Sequence, residues 1–84
     1  MAHALFKRVA LKEDLPDEGF CRGDVAIIVE QHEDPKGNEM GYSLEFLNAV
    51  GETISVVVVG ESQIESLRGD EIFHVRELHS APAA

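Results

Sequence analysis

The segment 53–59, T-I-S-V-V-V-V, constrains the fold more than any other part of the chain. Its four valines are β-branched and stiff at χ1, so they favour a pleated strand over a helix. Ile54 and Val56 alternate with polar residues, which is the period of a half-buried strand. This alternation fails at Val57 and Val59, where both faces become apolar. The segment therefore predicts a strand with the core on one side and a second apolar surface on the other.

Length and charge limit what the chain can be. Its 84 residues suffice for one domain with a small core. The formal net charge is −9, a sign that argues against binding a nucleic-acid backbone and favours a basic protein partner. Cys21 is the only cysteine, so an intramolecular disulfide and a Cys-based zinc site are excluded, and we expect a buried or inert thiol. Without a signal-peptide pattern or a long apolar run, we expect a soluble cytoplasmic protein with no membrane partner.

Short strands are predicted on both sides of the valine segment. The first strand is followed by an acidic loop, 13–23, in which Leu15 and Phe20 are expected to fasten the loop to the core. The other predicted strands are 5–12, 24–32, 42–47 and 71–79, the last being either a strand or a short amphipathic segment. The residues that we place toward the core are Leu5, Val9, Leu11, Val25, Ile27, Val29, Tyr42, Leu44 and Phe46.

This strand pattern predicts an all-β fold, a small and partly open SH3-like antiparallel barrel of about five strands. A 3₁₀ turn or short helix is expected near 61–67. The alternative is a fold with a real helix, because 62–76 has a pattern that is compatible with partial helicity. We expect a single domain over 1–84, divided into a barrel core at about 5–67, a C-terminal extension at 68–79 and a frayed tail at 80–84.

Several blocks of the sequence occur in an order that is known from one family. V-A-L-K-E-D-L-P-D-E-G-F-x-R-G-D-V-A-I-I-V-E is followed by Y-S-L-E-F, then G-E-T-I-S-V-V-V-V, then S-Q-I. This order resembles the domain-of-unknown-function 4926 family of short bacterial proteins, over about 6–67. L-P-D-E-G-F and R-G-D-V are the most specific parts. The resemblance implies an SH3-like strand pattern and accessory or antitoxin-like partners of other small proteins, and it implies no catalytic residues.

The histidines are the first place to look for a metal. Glu30 and His32 share one face of a predicted strand, and His74 is the best candidate for a second histidine ligand. Together they would support a small metal-dependent hydrolase. Two ligands at this spacing arise often by chance, so we interpret Glu30 and His32 as a solvated strand end. We therefore assign no catalytic, cofactor-binding or metal-binding residue.

The acidic loop carries four carboxylates in six positions, Glu13, Asp14, Asp17 and Glu18. Paired carboxylates perform acid–base chemistry when burial separates their pKa values, but these four surround a turn without a nearby nucleophile. A solvated loop is the plain interpretation. If the loop has a function, we expect it to bind Lys or Arg side chains of a partner. An antitoxin or immunity-like inhibitor would use it to block a cationic active site on a toxin.

A candidate interface follows from the predicted strand faces. Ile28, Leu47, Val57 and Val59 are predicted to point away from the core and to form an exposed apolar surface. In the alternative, the C-terminal extension covers that surface with the side chains of Ile72, Phe73, Val75 and Leu78. The main hypothesis is a non-enzymatic protein–protein interaction module that self-associates as a homo-oligomer or caps a basic protein partner.

Overall fold

The structure, a computed structural model, describes residues 3–34 and 36–78. Its elements are β1 (Arg8–Leu11), β2 (Val25–His32), β3 (Gly41–Leu47), β4 (Thr53–Gly60), a 3₁₀ turn (Glu61–Gln63) and β5 (Ile64–Ser66). The strands are antiparallel and form one open sheet in the order β4-β3-β2-β1-β5. The all-β prediction and the 3₁₀ turn near 61–67 are thus confirmed. No helix in the described part of the chain is long and apolar enough to cross a bilayer.

The core lies on one face of the sheet, and β3 supplies its centre. Tyr42, Leu44 and Phe46 alternate along β3 and are almost completely buried, as their spacing predicts. Side chains from the neighbouring strands and from the acidic loop complete the cluster. These are Val9, Leu11, Phe20, Ala26, Ile28, Val57, Val59 and Ile64. We call this side of the sheet the core face and the opposite side the outer face.

The predicted facing of β2 is wrong. Ala26 and Ile28 are buried in the core, whereas Val25, Ile27 and Val29 are only half-buried on the other side. The segment V-A-I-I-V is apolar at every position, so its alternation could not identify the core face. Pairing with β1 decides it, because Ala26 lies opposite the core residue Val9. A register shift between Ile28 and Glu30 then changes the facing of the second half of β2.

The predicted facing of β4 is wrong in the same way. Val57 and Val59 are 6% and 4% exposed and belong to the core, whereas Val56 and Val58 are 58% and 67% exposed on the outer face. The facing is set by register, since Val57 lies opposite Leu44 of β3. A shift of one residue exchanges the two faces of a strand. In addition, β4 is an edge strand of the sheet, although a run of valines is more typical of a strand in the middle.

Near the N-terminus, two further predictions differ from the structure. The first strand begins at Arg8 rather than at Leu5, and the Leu5 side chain is exposed. Cys21 is exposed rather than buried, and whether its thiol is inert stays a prediction. It lies in the acidic loop, where its backbone N–H donates to Asp24 Oδ2 at 2.8 Å. Neither difference alters the sheet.

The C-terminal segment 71–78 forms neither a strand nor a helix, so the predicted last strand is wrong. It is attached to the sheet by a bidentate ion pair, in which Arg76 Nε lies 2.9 Å from Asp24 Oδ1 and Nη2 lies 2.5 Å from Oδ2. The hydrogen bonds to Asp24 raise the pKa of Arg76. Ile72, Phe73, Val75 and Leu78 remain exposed, so they do not bury the apolar surface as the alternative required. The predicted frayed tail at 80–84 lies outside the described residues.

Arg76→Gln is expected to release this segment while changing the stability of the domain little. The pair is partly exposed, and such pairs contribute about 0.2–1 kcal/mol. The Phe73 ring centroid lies 5.8 Å from the Arg8 guanidinium carbon. The expected result is faster chymotrypsin cleavage at Phe73, while the denaturation midpoint of the domain is almost unchanged. Arg68→Gln is the matched control, because Arg68 pairs with Asp70 in the turn just before this segment and not with the sheet. Equal cleavage rates in the two variants would show that Arg76 does not hold the segment.

Candidate functional site

The candidate site is the free edge of β4. One side of β4 pairs with β3, and within residues 3–34 and 36–78 no strand pairs with its other side. The ladder ends where the Glu61 N–H donates to the Met40 carbonyl at 2.8 Å. In an antiparallel pair, successive residues turn their backbone groups alternately toward the partner and away from it. Counting back from Glu61, residues 57 and 59 bond to β3, and Val56 and Val58 turn their N–H and C=O groups toward the free edge.

The 3₁₀ turn closes this edge at one end. The Gly60 N–H also points away from β3, and it donates to Gln63 Oε1 at 2.8 Å. Gln63 Nε2 in turn donates to Glu13 Oε2 at 3.1 Å, which connects the end of β4 to the acidic loop. The Gly60 contact agrees with the alternation derived from the ladder. The unpaired part of the edge therefore ends before Gly60.

An exposed apolar strip lies beside the free edge. It consists of Leu47 on β3 and Ile54, Val56 and Val58 on β4, all on the outer face, and we call it the outer strip. β4 contains no charged residue and no proline, the devices that usually protect an edge strand from pairing. The strip thus combines exposed apolar side chains with unpaired backbone groups.

The predicted interface is therefore only partly available. Ile28, Val57 and Val59 are buried in the core, so their assignment to an exposed surface is wrong. Leu47 is exposed on the outer face, as expected. The exposed valines of β4 are Val56 and Val58 instead. The sequence did not identify them because the facing of β4 depends on its pairing register with β3.

The acidic loop is attached to the core by Leu15 and Phe20. Leu15 and Phe20 form an isolated antiparallel bridge, and the Leu15 N–H donates to the Phe20 carbonyl at 2.8 Å. Gly19 closes the turn between them with a φ of 82°, a conformation that side chains other than glycine rarely adopt. The Phe20 ring stacks on Phe46 with centroids 3.8 Å apart, and Leu15 packs against the core cluster. The prediction that Leu15 and Phe20 fasten the loop is confirmed.

The acidic loop and β4 line the same open cleft, which has a volume of about 310 Å³. Glu13, Asp14, Asp17 and Glu18 line it together with residues 57–59 of β4. Asp14 Oδ1 accepts a hydrogen bond from the Arg22 backbone N–H at 2.8 Å, so it also supports the loop. Among the described residues, none of the four carboxylates forms an ion pair. The structure thus brings together the acidic loop and the valine strand, which were predicted from the sequence as two separate sites.

The Glu30 and His32 pair does not extend into a metal site. His32 Nε2 lies 3.9 Å from Glu30 Oε1, and no group of three or more His, Cys, Asp or Glu residues in the described ranges is arranged to hold a metal ion. His74 is therefore not joined to this pair. His32 Nε2 also lies 2.8 Å from Ser43 Oγ, a contact across β2 and β3 that the sequence did not reveal. Because Glu30 and Ser43 approach the same ring nitrogen, Glu30 does not orient the imidazole as the acid of a triad would.

A comparison with protein-family models identifies the family. The model of the domain of unknown function DUF4926 matches residues 5–66. The chain belongs to the DUF4926 family. The match includes all five strands and the acidic loop, and the DUF4926 domain thus contains both walls of the cleft. Searches of curated proteins and of solved structures gave no significant match.

The arrangement beside β4 in this DUF4926 domain combines three features. It offers unpaired backbone donors and acceptors at Val56 and Val58, an exposed apolar strip, and carboxylates without cationic partners among the described residues. Contact with a complementary protein surface would stabilise each of these groups. None of them supplies an activated nucleophile.

Proposed function

We propose that this DUF4926 domain is a non-enzymatic interaction module that binds a basic protein partner beside β4. The observation that carries the proposal is the exposure of Val56 and Val58, 58% and 67%, on an uncharged edge strand. Soluble domains rarely leave contiguous apolar surface exposed unless it contacts another molecule. The outer strip would supply the contact area.

Charge favours a basic partner over a second copy of the chain. Each copy carries a net charge of −9, and the acidic loop lies beside the strip. Two copies that met at β4 would bring two acidic loops close together and would repel each other. A basic surface would instead be attracted and would associate faster at low salt. Homo-oligomer formation is the competing outcome that the experiments below must measure.

The burial of Ser43 supports the non-enzymatic part of the proposal. The described pair that most resembles a nucleophile and its base is Ser43 with His32. Ser43 is buried within the sheet, so a substrate has no access to its hydroxyl without local unfolding. The geometry therefore supports recognition more than catalysis.

Val58→Asp is expected to abolish partner capture without unfolding the domain. A carboxylate at the centre of the outer strip would be desolvated by any partner that covers it, and loss of a central interface residue lowers affinity tenfold or more. Capture from an extract of the native organism would be quantified with immobilised wild-type and variant protein, and the oligomeric state of each would be measured by light scattering.

Val50→Asp is the matched control, because Val50 is exposed in the turn between β3 and β4 and carries the same change of charge. The proposal requires a basic partner that wild type and Val50→Asp capture and that Val58→Asp does not. Equal capture by all three proteins would contradict it. If the wild-type protein forms a stable oligomer and Val58→Asp is a monomer, the partner at β4 is a second copy of the chain and not a basic protein.

A further inference from the structure

We infer that the partner binds as an added strand: an extended segment with alternating basic and apolar residues pairs with β4 and becomes the sixth strand of the sheet. This inference rests on the proposed function and specifies the chemistry of the partner and its mode of binding. It follows from three features, namely the backbone groups of β4, the two faces of β4 and the charge of the acidic loop beside it.

The backbone groups provide the pairing. Val56 and Val58 each turn one N–H and one C=O toward the free edge, so these two residues offer four hydrogen-bonding groups. The Gly60 N–H is already satisfied by Gln63, which limits the added strand to the stretch before Gly60. The turn that begins at Asn48 limits it at the other end, where the Asn48 N–H donates to the Glu52 carbonyl. A short extended segment therefore fits, and a long strand does not.

The two faces of β4 determine the sequence pattern of the partner. Side chains of paired strands that lie opposite each other project to the same face, and successive side chains alternate between faces. Partner residues beside Val56 and Val58 would lie on the outer face and would be apolar. The residues between them would project toward the cleft that Asp17 and Glu18 also line. Lys or Arg at those positions would meet carboxylates that have no ion-pair partner among the described residues.

The probe for this inference is the peptide acetyl-Val-Lys-Val-Lys-Val-Lys-Val-amide, titrated into the ¹⁵N-labelled domain. We expect saturable shifts of the Val56 and Val58 amide signals and slower hydrogen exchange at these two positions. The Val57 and Val59 amides already bond to β3 and should change little. Two control peptides separate the contributions. One carries N-methyl groups on the alternate residues whose N–H groups would face β4, which removes the backbone donors of that edge. The other has Glu in place of Lys. Both are expected to bind at least about tenfold more weakly.

Two double variants of the domain test the carboxylates of Asp17 and Glu18, which line the cleft. Asp17→Asn with Glu18→Gln removes two carboxylates from the cleft, and we expect about tenfold weaker binding of the lysine peptide at low salt. Glu33→Gln with Glu77→Gln is the matched control, since it makes the same change of net charge at exposed positions that do not line the cleft. The control is expected to retain affinity within about twofold.

The outcomes separate this inference from the proposed function. If the N-methylated peptide binds as tightly as its parent, backbone pairing is wrong. If the glutamate peptide binds equally well, or if both double variants weaken binding equally, Asp17 and Glu18 do not attract the basic residues of the partner. If the lysine peptide does not bind, or if Val56 and Val58 are already protected by self-association, strand addition by a basic segment is wrong. If the lysine peptide does not bind but Val58→Asp and Val50→Asp differ in partner capture, the proposed function still stands. If these two variants capture the partner equally, the proposed function fails as well.

Discussion

Val57→Asp is expected to unfold the domain, whereas Val58→Asp is expected to leave it folded. Val57 is 6% exposed and lies opposite Leu44 in the core. An unpaired carboxylate at that position costs several kcal/mol, because the core offers no compensating charge. The total stability of a domain of this size is about 5–15 kcal/mol, so this single change removes a large part of it. Circular dichroism during thermal unfolding would show a lost or strongly lowered transition.

The comparison with Val58→Asp makes this a test of register rather than of charge. Val58 is 67% exposed on the outer face, so its replacement is expected to change stability by only about 0.5–1 kcal/mol, mostly through strand propensity. Adjacent valines thus differ sharply in their response to the same substitution. The opposite order of effects would mean that β4 is shifted by one residue and that the outer strip consists of Val57 and Val59 instead.

Phe20→Ala is expected to destabilise the domain by about 3–5 kcal/mol, the range for removing a buried aromatic side chain. Phe20 is buried and stacks on Phe46 with the rings inclined by 11°. The substitution would also release the acidic loop, since the Leu15–Phe20 bridge would lose its main attachment to the core. Chemical denaturation would give the loss of stability, and hydrogen exchange at the Leu15 amide would report the release of the loop.

Phe6→Ala is the matched control for that loss, because Phe6 is exposed. Its removal is expected to change the free energy of unfolding by no more than about 0.5 kcal/mol. A similar loss in both variants would show that aromatic content in general, rather than the stack on Phe46, stabilises the domain. An unchanged exchange rate at Leu15 in Phe20→Ala would show that the loop is held by other contacts.

The strands could be predicted from the sequence wherever polar and apolar residues alternate. In β3, Ser43 and Glu45 separate Tyr42, Leu44 and Phe46, so both the strand and its facing were predicted correctly. In β2 and β4 both faces are apolar, and the strands were found but their facing was reversed. Only pairing with a neighbouring strand decides the facing in such segments, and pairing depends on residues that are distant in sequence.

The parts of the candidate site were visible in the sequence, but their arrangement was not. The acidic residues from Glu13 to Glu18 and the valines of β4 are about 40 positions apart, and nothing in either segment points to the other. They meet because β5 pairs with β1, which places the 3₁₀ turn and the start of the acidic loop side by side, as the contact between Gln63 and Glu13 shows. The edge position of β4 likewise follows from the strand order and not from its composition.

Amide hydrogen exchange along β4 in the free domain tests the central claim most directly. The claim is that β4 presents an unpaired edge on which Val56 and Val58 carry free backbone groups. It predicts rapid exchange of the Val56 and Val58 amides and slow exchange of the Val57 and Val59 amides, which bond to β3. Slow exchange at all four positions in the monomeric domain would mean that the edge is already covered, and the account of β4 as a binding edge would be wrong.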